Sequence, residues 1–366
     1  MESSAVDTST TMEMSSARPI RVLAVIPASS AKASMIFARR QVASLQQAGV
    51  VCETFFLASR TSPWILIEES RRLRRMAKSF RADLLHAHYG TATAFLCAVS
   101  VPFPLVVTYR GSDLNPSPSL SWARGFIGRL LSQLAALRAR QIICVTVQLR
   151  ERLWWRKHRA AVIPSGVDTA LFFPYPRNEA RAKLGWGNCE RVVLFNASDP
   201  KLKRLDLAQT AVEVATTICG KIRFVVLDGD VAAETVPVMM AAADCLLLTS
   251  DWEGSPNVVK EAIACNLPVV TVDAGDVKAR LDGVSPSSIV DRDPEEIAKA
   301  LAEILIQGKR SNGSSRVGEF SELSVAQRII SVYRTANQKR SEDKICSAPF
   351  NTERSVSSAM RAEPNN

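Results

Sequence analysis

The stretch "SDWEGSPNVVKEAIACNLPVVTVDAG", residues 250–275, decides how the chain is read. Two glutamates, Glu253 and Glu261, stand eight positions apart around a small polar turn that contains proline. The apolar run "CLLLTS" leads in and "LPVVTVDAG" leads out, so the order is strand, loop, helix, strand. Ser255 suits the N-cap and Pro256 the first helical turn, where a missing N–H costs nothing. The free N–H groups at Asn257 and Val258 then point out of the helix end, and the helix dipole makes that end a ready anion seat. In an open parallel α/β sheet such ends lie at the carboxyl edge of the strands, where ligands bind. Glu261, further along the helix, is placed to accept from a vicinal diol, as acids do for ribose. Glu253, in the loop, is placed to meet whatever hangs on the other side of the phosphate. The ligand this describes has ribose, diphosphate and a further hydroxylated group: a nucleotide sugar. Acids near a helix start also serve the dipole alone, so the spacing needs support from the rest of the chain.

Working outward, the same alternation recurs on both sides. The amino-terminal half runs "PIRVLAVIP", a helix in "IFARRQVASLQQAG" stopping at Gly49, "VCETFFLA", "DLLHAHY", a helix through Val99, "PLVVTYRG", a helix across 121–139, "QIICVTV", a helix at 148–157 and "AVIPSG". Residues 163–176, rich in Pro, Gly and Asp, mark a linker. The pattern restarts with "RVVLFNA", a helix from about Lys203, "RFVVLDG", "CLLLTS", the helix at 256 and "PVVTVDAG". "DPEEIAKALAEIL" opens with Asp293 as N-cap and Pro294 at the first helical position. Strands separated by helices of this length predict an α/β chain with parallel sheets. The expected organisation is a disordered head over 1–17, Rossmann-like domains over 18–165 and 166–320 facing each other across a central cleft, a helix over 321–338 and a disordered tail over 339–366.

Composition sets bounds. A chain of 366 residues with 47% hydrophobic content can bury two sizeable cores. The net charge of +10 favours anionic partners, and nucleic-acid binding lacks any supporting motif. Eight cysteines with no zinc-like or redox spacing read as reduced core residues of a cytosolic protein. Residues 1–19 lack the apolar core of a secretory signal, and the uncharged run from Tyr89 to Val107 is broken by prolines, so it reads as a buried helix and strand instead of a membrane span.

"SDWEGSPNVVKEAIACNLPVVTVDAGDV" resembles the donor-binding signature of retaining family 4 glycosyltransferases. "DLLHAHYG" (83–90), "VVTYRGSDLN" (106–115), "VIPSGVDTALFFP" (162–174) and "VMMAAADCLLLTS" (238–250) agree with that family in order, so the similarity covers about residues 20–335. The wording is nearest to the branch of teichuronic-acid-type, cell-surface polysaccharide transferases. The resemblance implies the GT-B fold, two facing Rossmann-like domains. It also implies that Glu261 holds the nucleotide ribose, that Glu253 faces the donor sugar and that the backbone from Gly254 and Ser255 through Pro256 and Asn257 to Val258 cradles the diphosphate. Lys203, in "KLKRLDLA", matches the basic residue that meets the diphosphate, with Arg204 as a helper. The chain departs from the family at Ser198, where arginine is usual, with Lys201 a candidate to compensate. It departs again at Arg110, where histidine is usual and contacts the donor sugar; Arg110 is expected to serve the phosphates or the acceptor. Asn266 replaces a glycine and is expected in the left-handed region, which asparagine tolerates.

Other signals have plainer readings beside the functional ones. Asp228 and Asp230 form a D-x-D at a strand end and read as a turn, so no metal or other cofactor is expected. His86 and His88 alternate on a strand; one is expected to face the core and the other, His88, the acceptor. "RRLRRMAKSFR" (71–81), with Leu73, Met76, Ala77 and Phe80 at helical spacing, and "LRERLWWRKHR" (149–159) read either as solvated faces or as a basic amphipathic surface for anionic lipid. The expected activity is transfer of a sugar, with retention, from a nucleotide sugar to a lipid-linked or growing surface glycan, by a cytoplasmic protein peripheral to the inner face of the plasma membrane. The alternatives are a sugar-nucleotide epimerase of the same architecture and a non-catalytic nucleotide-sugar-binding scaffold.

Overall fold

The computed structural model describes residues 18–27, 35–58, 62–100, 102–116, 120–228 and 231–346. The amino-terminal lobe is built from β1 (Arg21–Ile26), α1 (Ile36–Gln47), β2 (Val51–Phe56), α2 (Pro63–Ser79), β3 (Leu84–Ala87), α3 (Thr91–Ser100), β4 (Leu105–Tyr109), α4 (Trp122–Arg138), β5 (Gln141–Cys144), α5 (Val147–Glu151) and β6 (Ala160–Val162). The carboxy-terminal lobe follows with α6 (Arg177–Leu184), β7 (Arg191–Asn196), α7 (Pro200–Lys203), α8 (Leu205–Cys219), β8 (Ile222–Leu227), α9 (Val236–Ala242), β9 (Cys245–Leu248), α10 (Asn257–Ala264), β10 (Val269–Val272), α11 (Val277–Leu281), β11 (Ser288–Val290) and α12 (Pro294–Gln307). A 3-10 turn at Gly313–Phe320 leads into α13 (Glu322–Cys346).

The sheets run β2-β1-β3-β4-β5-β6 and β11-β10-β9-β7-β8, and every pairing is parallel. Strands covered on both faces need continuous apolar runs, and β3, β4, β9 and β10 are buried at every position. Alternate residues divide between the two sides. Leu23, Val25, Leu85, Val107 and Ile142 pack under α2, α3 and α4, while Val22, Leu84, Val106 and Ile143 pack under α1 and α13. Asp293 caps α12 by accepting from the N–H groups of Glu295 and Glu296, and Asn266 lies at φ 54°, both as its sequence position predicts.

The chain passes between the lobes twice, and the two passages lie side by side. Val167 donates to the Phe320 carbonyl at 2.9 Å, and Glu322 donates to the Val167 carbonyl at 3.0 Å. Gly166 is required there, because a Cβ would stand 2.8 Å from the Glu322 Cα. Beyond this double crossing α13 returns to the first lobe, where Val325, Ala326, Ile329 and Tyr333 join its core.

Several expectations need correction. The last helix runs to Cys346, so residues 339–346, expected as disordered tail, are helical. The expected head, the tail beyond 346 and Asp230 of the D-x-D lie outside the described residues. The helix expected at 148–157 stops at Glu151. The apolar stripe of 71–81 is already used: Leu73 and Ala77 are fully buried, and Met76 and Phe80 pack against the same core. Trp155 likewise packs inward, its indole N–H donating to the Gln133 carbonyl at 2.8 Å, and only Trp154 stays exposed. Cys189 is exposed instead of buried.

Candidate active site

A cleft of about 880 Å³ opens between the lobes at the carboxyl ends of both sheets. The carboxy-terminal wall includes Asn196 at the end of β7 and Ser198 beyond it, Lys203 at the end of α7, Leu227 at the end of β8 with Val231 to Glu234 and Val236 beyond it, and Glu253 to Val258 with Glu261 around the start of α10. The amino-terminal wall consists of Ile36, Phe37 and Arg40 from α1, Arg110 after β4 and Val145 after β5.

Lys203 and Glu253 form the centre of the carboxy-terminal wall. Asp199 caps the single turn of α7, accepting from the Leu202 N–H, and Thr249 donates to the Lys203 carbonyl at 2.8 Å. This fixes a nearly buried ammonium in an ion pair with Glu253, whose Oε1 also accepts from Ser250 at 2.7 Å. A pair this enclosed is held in one geometry, and it keeps a cation at the cleft floor.

The helix end differs in detail from the sequence reading. Pro256, not Ser255, occupies the N-cap position, and no side chain caps α10. The Ser255 hydroxyl turns inward, donating to Asp276 at 2.9 Å and accepting from Lys260 at 3.0 Å. The N–H groups of Asn257 and Val258 therefore meet no capping side-chain oxygen. Glu261 lines the cleft and lies 3.6 Å from Arg40 of the opposite lobe. Burial raises its pKa, and Arg40 and Lys260 oppose that rise. Gly254 lies tight against the opposite lobe: a Cβ would collide with the Arg110 carbonyl oxygen.

Arg110 stands at the cleft, as expected, but it is held from behind. Its guanidinium donates to Ser165 Oγ at 2.9 Å and Gln41 Oε1 at 2.7 Å, and its carbon lies 4.7 Å from the Phe37 ring centroid. Burial pushes its pKa down to about 10, against the pull of Asp113. Asp113 shapes the loop itself, accepting from the backbone N–H groups of Gly90, Arg110 and Gly111.

Two expected site residues are placed elsewhere. His88 is fully buried beside His86, ring centroids 4.0 Å apart, because residues two apart on a strand share a face. Burial, then His86 and Arg110, lower its pKa, so it is neutral; it meets Arg110 at 3.4 Å from behind and does not line the cleft. His86 bridges Tyr333 of α13 and Thr108 at 2.6 and 2.7 Å. Arg204 turns away to Asp206 and Asp251, at 2.8 and 3.4 Å, and is absent from the cleft lining. Lys201 is exposed and also outside the lining, so it does not compensate at Ser198.

Sequence reasoning missed Arg40 and Lys260. Arg40 follows Arg39 on an amphipathic helix, and nothing local tells which of the two meets the cleft. Lys260 stands inside the quoted signature, yet it is fully buried, donating to the Ser165 carbonyl at 2.7 Å, and burial pushes its pKa down to about 7. Among the described residues, no group of three or more His, Cys, Asp or Glu could hold a metal ion.

Two family models match the chain: Glycosyltransferase Family 4 over residues 29–171 and Glycosyl transferases group 1 over residues 199–307. Both lobes therefore match glycosyltransferase family models, the amino-terminal one that of family 4. Among the chain's relatives is TuaC of Bacillus subtilis, named for teichuronic acid biosynthesis, 25% identical over 240 residues; the match spans 60% of each chain. The sucrose-phosphate synthase of Thermosynechococcus elongatus shares the fold at TM-score 0.70 and 17% identity, over 88% of this chain and 100% of the other. HepE of Anabaena in complex with UDP-glucose does so at TM-score 0.66 and 18% identity, over 86% and 100%. The architecture is GT-B.

Proposed function

We propose that the glycosyltransferase moves a sugar from a nucleotide-sugar donor to a lipid-linked or growing surface glycan, with retention and without a metal cofactor. The observation that carries this is the Lys203–Glu253 pair beside the uncapped start of α10, with Glu261 further along the same helix in the same cleft. The carboxy-terminal lobe binds the donor: Glu261 accepts from the ribose hydroxyls, the N–H groups of Asn257 and Val258 hold the diphosphate, and Glu253 orients the sugar. The bond from the anomeric carbon to the diphosphate oxygen breaks, and negative charge grows on the leaving group. Lys203 and the helix end stabilise that charge without reorganising, which is where such sites gain most of their rate. The acceptor oxygen, presented by the amino-terminal lobe, bonds to the anomeric carbon on the face the diphosphate leaves, and its proton passes to the departing diphosphate.

HepE is crystallised with UDP-glucose in the same architecture, which supports a nucleotide sugar as donor. TuaC, named for teichuronic acid, supports a cell-surface glycan as product. Such an acceptor would place the protein at the inner face of the plasma membrane, bound peripherally; among the described residues no helix is long and apolar enough to cross a membrane. Thermal-shift screening against a panel of nucleotide sugars tests the donor assignment, since a bound ligand raises stability by mass action. No shift with any of them would sink it. Proton NMR of the first product anomer tests retention, and unchanged rates in EDTA test metal independence.

A further inference from the structure

Helix α4 presents an unusual face to water. Its inward residues include Ser132, Gln133, Ala135 and Ala136, while Trp122 is 79% exposed, Ile127 54%, Phe126 44%, Leu137 41% and Leu134 38%. At 3.6 residues per turn, positions 123, 126, 127, 130, 134 and 137 share an arc of about 100°, and all six are apolar. Trp122 stacks on Phe126, ring centroids 5.6 Å apart, at the end nearest the cleft. A helix facing solvent normally reverses this pattern, and a contiguous exposed apolar face marks a surface that binds something.

The charges around it choose the partner. The helix carries Arg124, Arg129 and Arg138 and no acid. On one side α3 joins it to α2, through Thr91 N–H donating to Ser132 Oγ at 2.7 Å and Ser100 donating to Ser70 at 2.8 Å. Helix α2 adds exposed Arg71, Arg74, Arg75 and Lys78, and its first turn exposes Trp64 at 82%. On the other side Trp154, held by Gln133 of α4 at 3.0 Å, is 58% exposed. Tryptophans beside an apolar stripe with a cationic rim suit an interfacial helix. Two copies of the chain meeting on this seam would bring six arginines of α4 together with no acid of that helix between them.

We propose that the outward face of α4, rimmed by the basic face of α2, is the seat on which the protein rests on an anionic lipid bilayer. This rests on the reading of a lipid-linked acceptor and deepens it. The apolar residues enter the boundary between headgroups and acyl chains, the arginines meet lipid phosphates, and Trp122 sits at the end of the seat next to the cleft mouth. An acceptor anchored in the bilayer then reaches the amino-terminal wall without leaving its membrane.

The test is flotation of the full chain with vesicles of phosphatidylcholine, with and without phosphatidylglycerol. We expect binding to the anionic vesicles, weakened by salt, and about a tenfold or greater loss in Phe126→Ser/Ile127→Ser. Arg124→Glu/Arg138→Glu should lose the preference for phosphatidylglycerol. A retained thermal shift with nucleotide sugar shows that each variant is folded, since these side chains lie outside the cleft lining. Wild-type protein that ignores both vesicles overturns the proposal, as does binding that the serine variant keeps. It is equally overturned if sedimentation velocity finds a dimer that the serine variant dissolves while vesicle binding is lacking. Vesicle binding needs no donor and donor binding needs no vesicle, so failure of one reading is distinct from failure of the other.

Discussion

The two walls of the cleft hold their charges in different ways. On the carboxy-terminal wall Lys203 faces Glu253 at short range, and both are nearly enclosed. On the amino-terminal wall Arg110 is surrounded by a serine, a glutamine, a histidine and a phenylalanine ring, and among the described residues its side chain forms no ion pair with a carboxylate. Its Nε is buried without a hydrogen-bond partner. The first wall is a neutralised, rigid pair, suited to a charge that appears only when a bond breaks. The second is a cation without an ion-pair partner among the described residues, suited to drawing an anion that is already there. Arg40, reaching from the first lobe to Glu261 of the second, is the one ion pair described across the cleft.

Predictions can break or sharpen this contrast. Replacing Lys203 by Ala removes charge stabilisation from the transition state, so kcat should fall by about 100- to 1000-fold with a smaller change in KM for the donor. Steady-state kinetics decide it, and an unaltered kcat would mean that the neutralised wall is structural. Gly254→Ala pushes a methyl group into the Arg110 carbonyl and should part the walls, lowering kcat/KM by about 10- to 100-fold, equivalent to the 1–3 kcal/mol of a typical overpacking strain. Donor affinity that falls equally in the isolated binding step would instead locate the damage on one wall only. Glu261→Ala should raise the donor dissociation constant by about tenfold, the worth of hydrogen bonds to a charged acceptor, while kcat moves little. Calorimetric titration with the nucleotide diphosphate alone checks it, because the sugar plays no part in that contact.

The last effect concerns Glu322, which lines a small cavity of about 40 Å³ behind the cleft with Arg40, Ser165 and Glu261. Burial, aided by Asp168, pushes its pKa from 4.5 up to about 7. Between those values the folded protein holds a proton that the unfolded chain releases, so this group's contribution to stability falls as pH rises from 4.5 to 7. Glu322→Gln should flatten that slope by a few degrees of Tm, the scale of about 1–3 kcal/mol for a shift of that size in a partly exposed carboxyl. Melting curves across the interval that superpose for both proteins would assign the titration elsewhere.

The carboxy-terminal wall was legible because most of it is continuous in sequence. Residues 250–275 carry the strand, the loop and the helix that place Glu253 and Glu261, and only the cap moved, from Ser255 to Pro256. The amino-terminal wall is assembled from α1, β4 and the linker, so Arg40, Gln41 and Ser165 carry no shared local signal. The expectation for His88 fails because residues two apart on a strand share a face, so both histidines turn inward. The basic helix at 71–81 showed the right charge and the wrong apolar stripe, since its Leu73 and Ala77 belong to the core. Helix α4 hid the reverse case: an apolar helix reads as buried until the sheet shows which side it turns outward.

The paired crossings at Val167 and Phe320 carry one further consequence. With α13 packed back onto the first lobe, the second lobe is an insertion held at two adjacent junctions, a cassette in a frame. Exchanging 168–320 between relatives would therefore cut the chain at one spot in space, leaving the core of the first lobe, including the Tyr333–His86 bond, whole. On the proposed division of labour, such a chimera would inherit its sugar from one parent and its destination from the other.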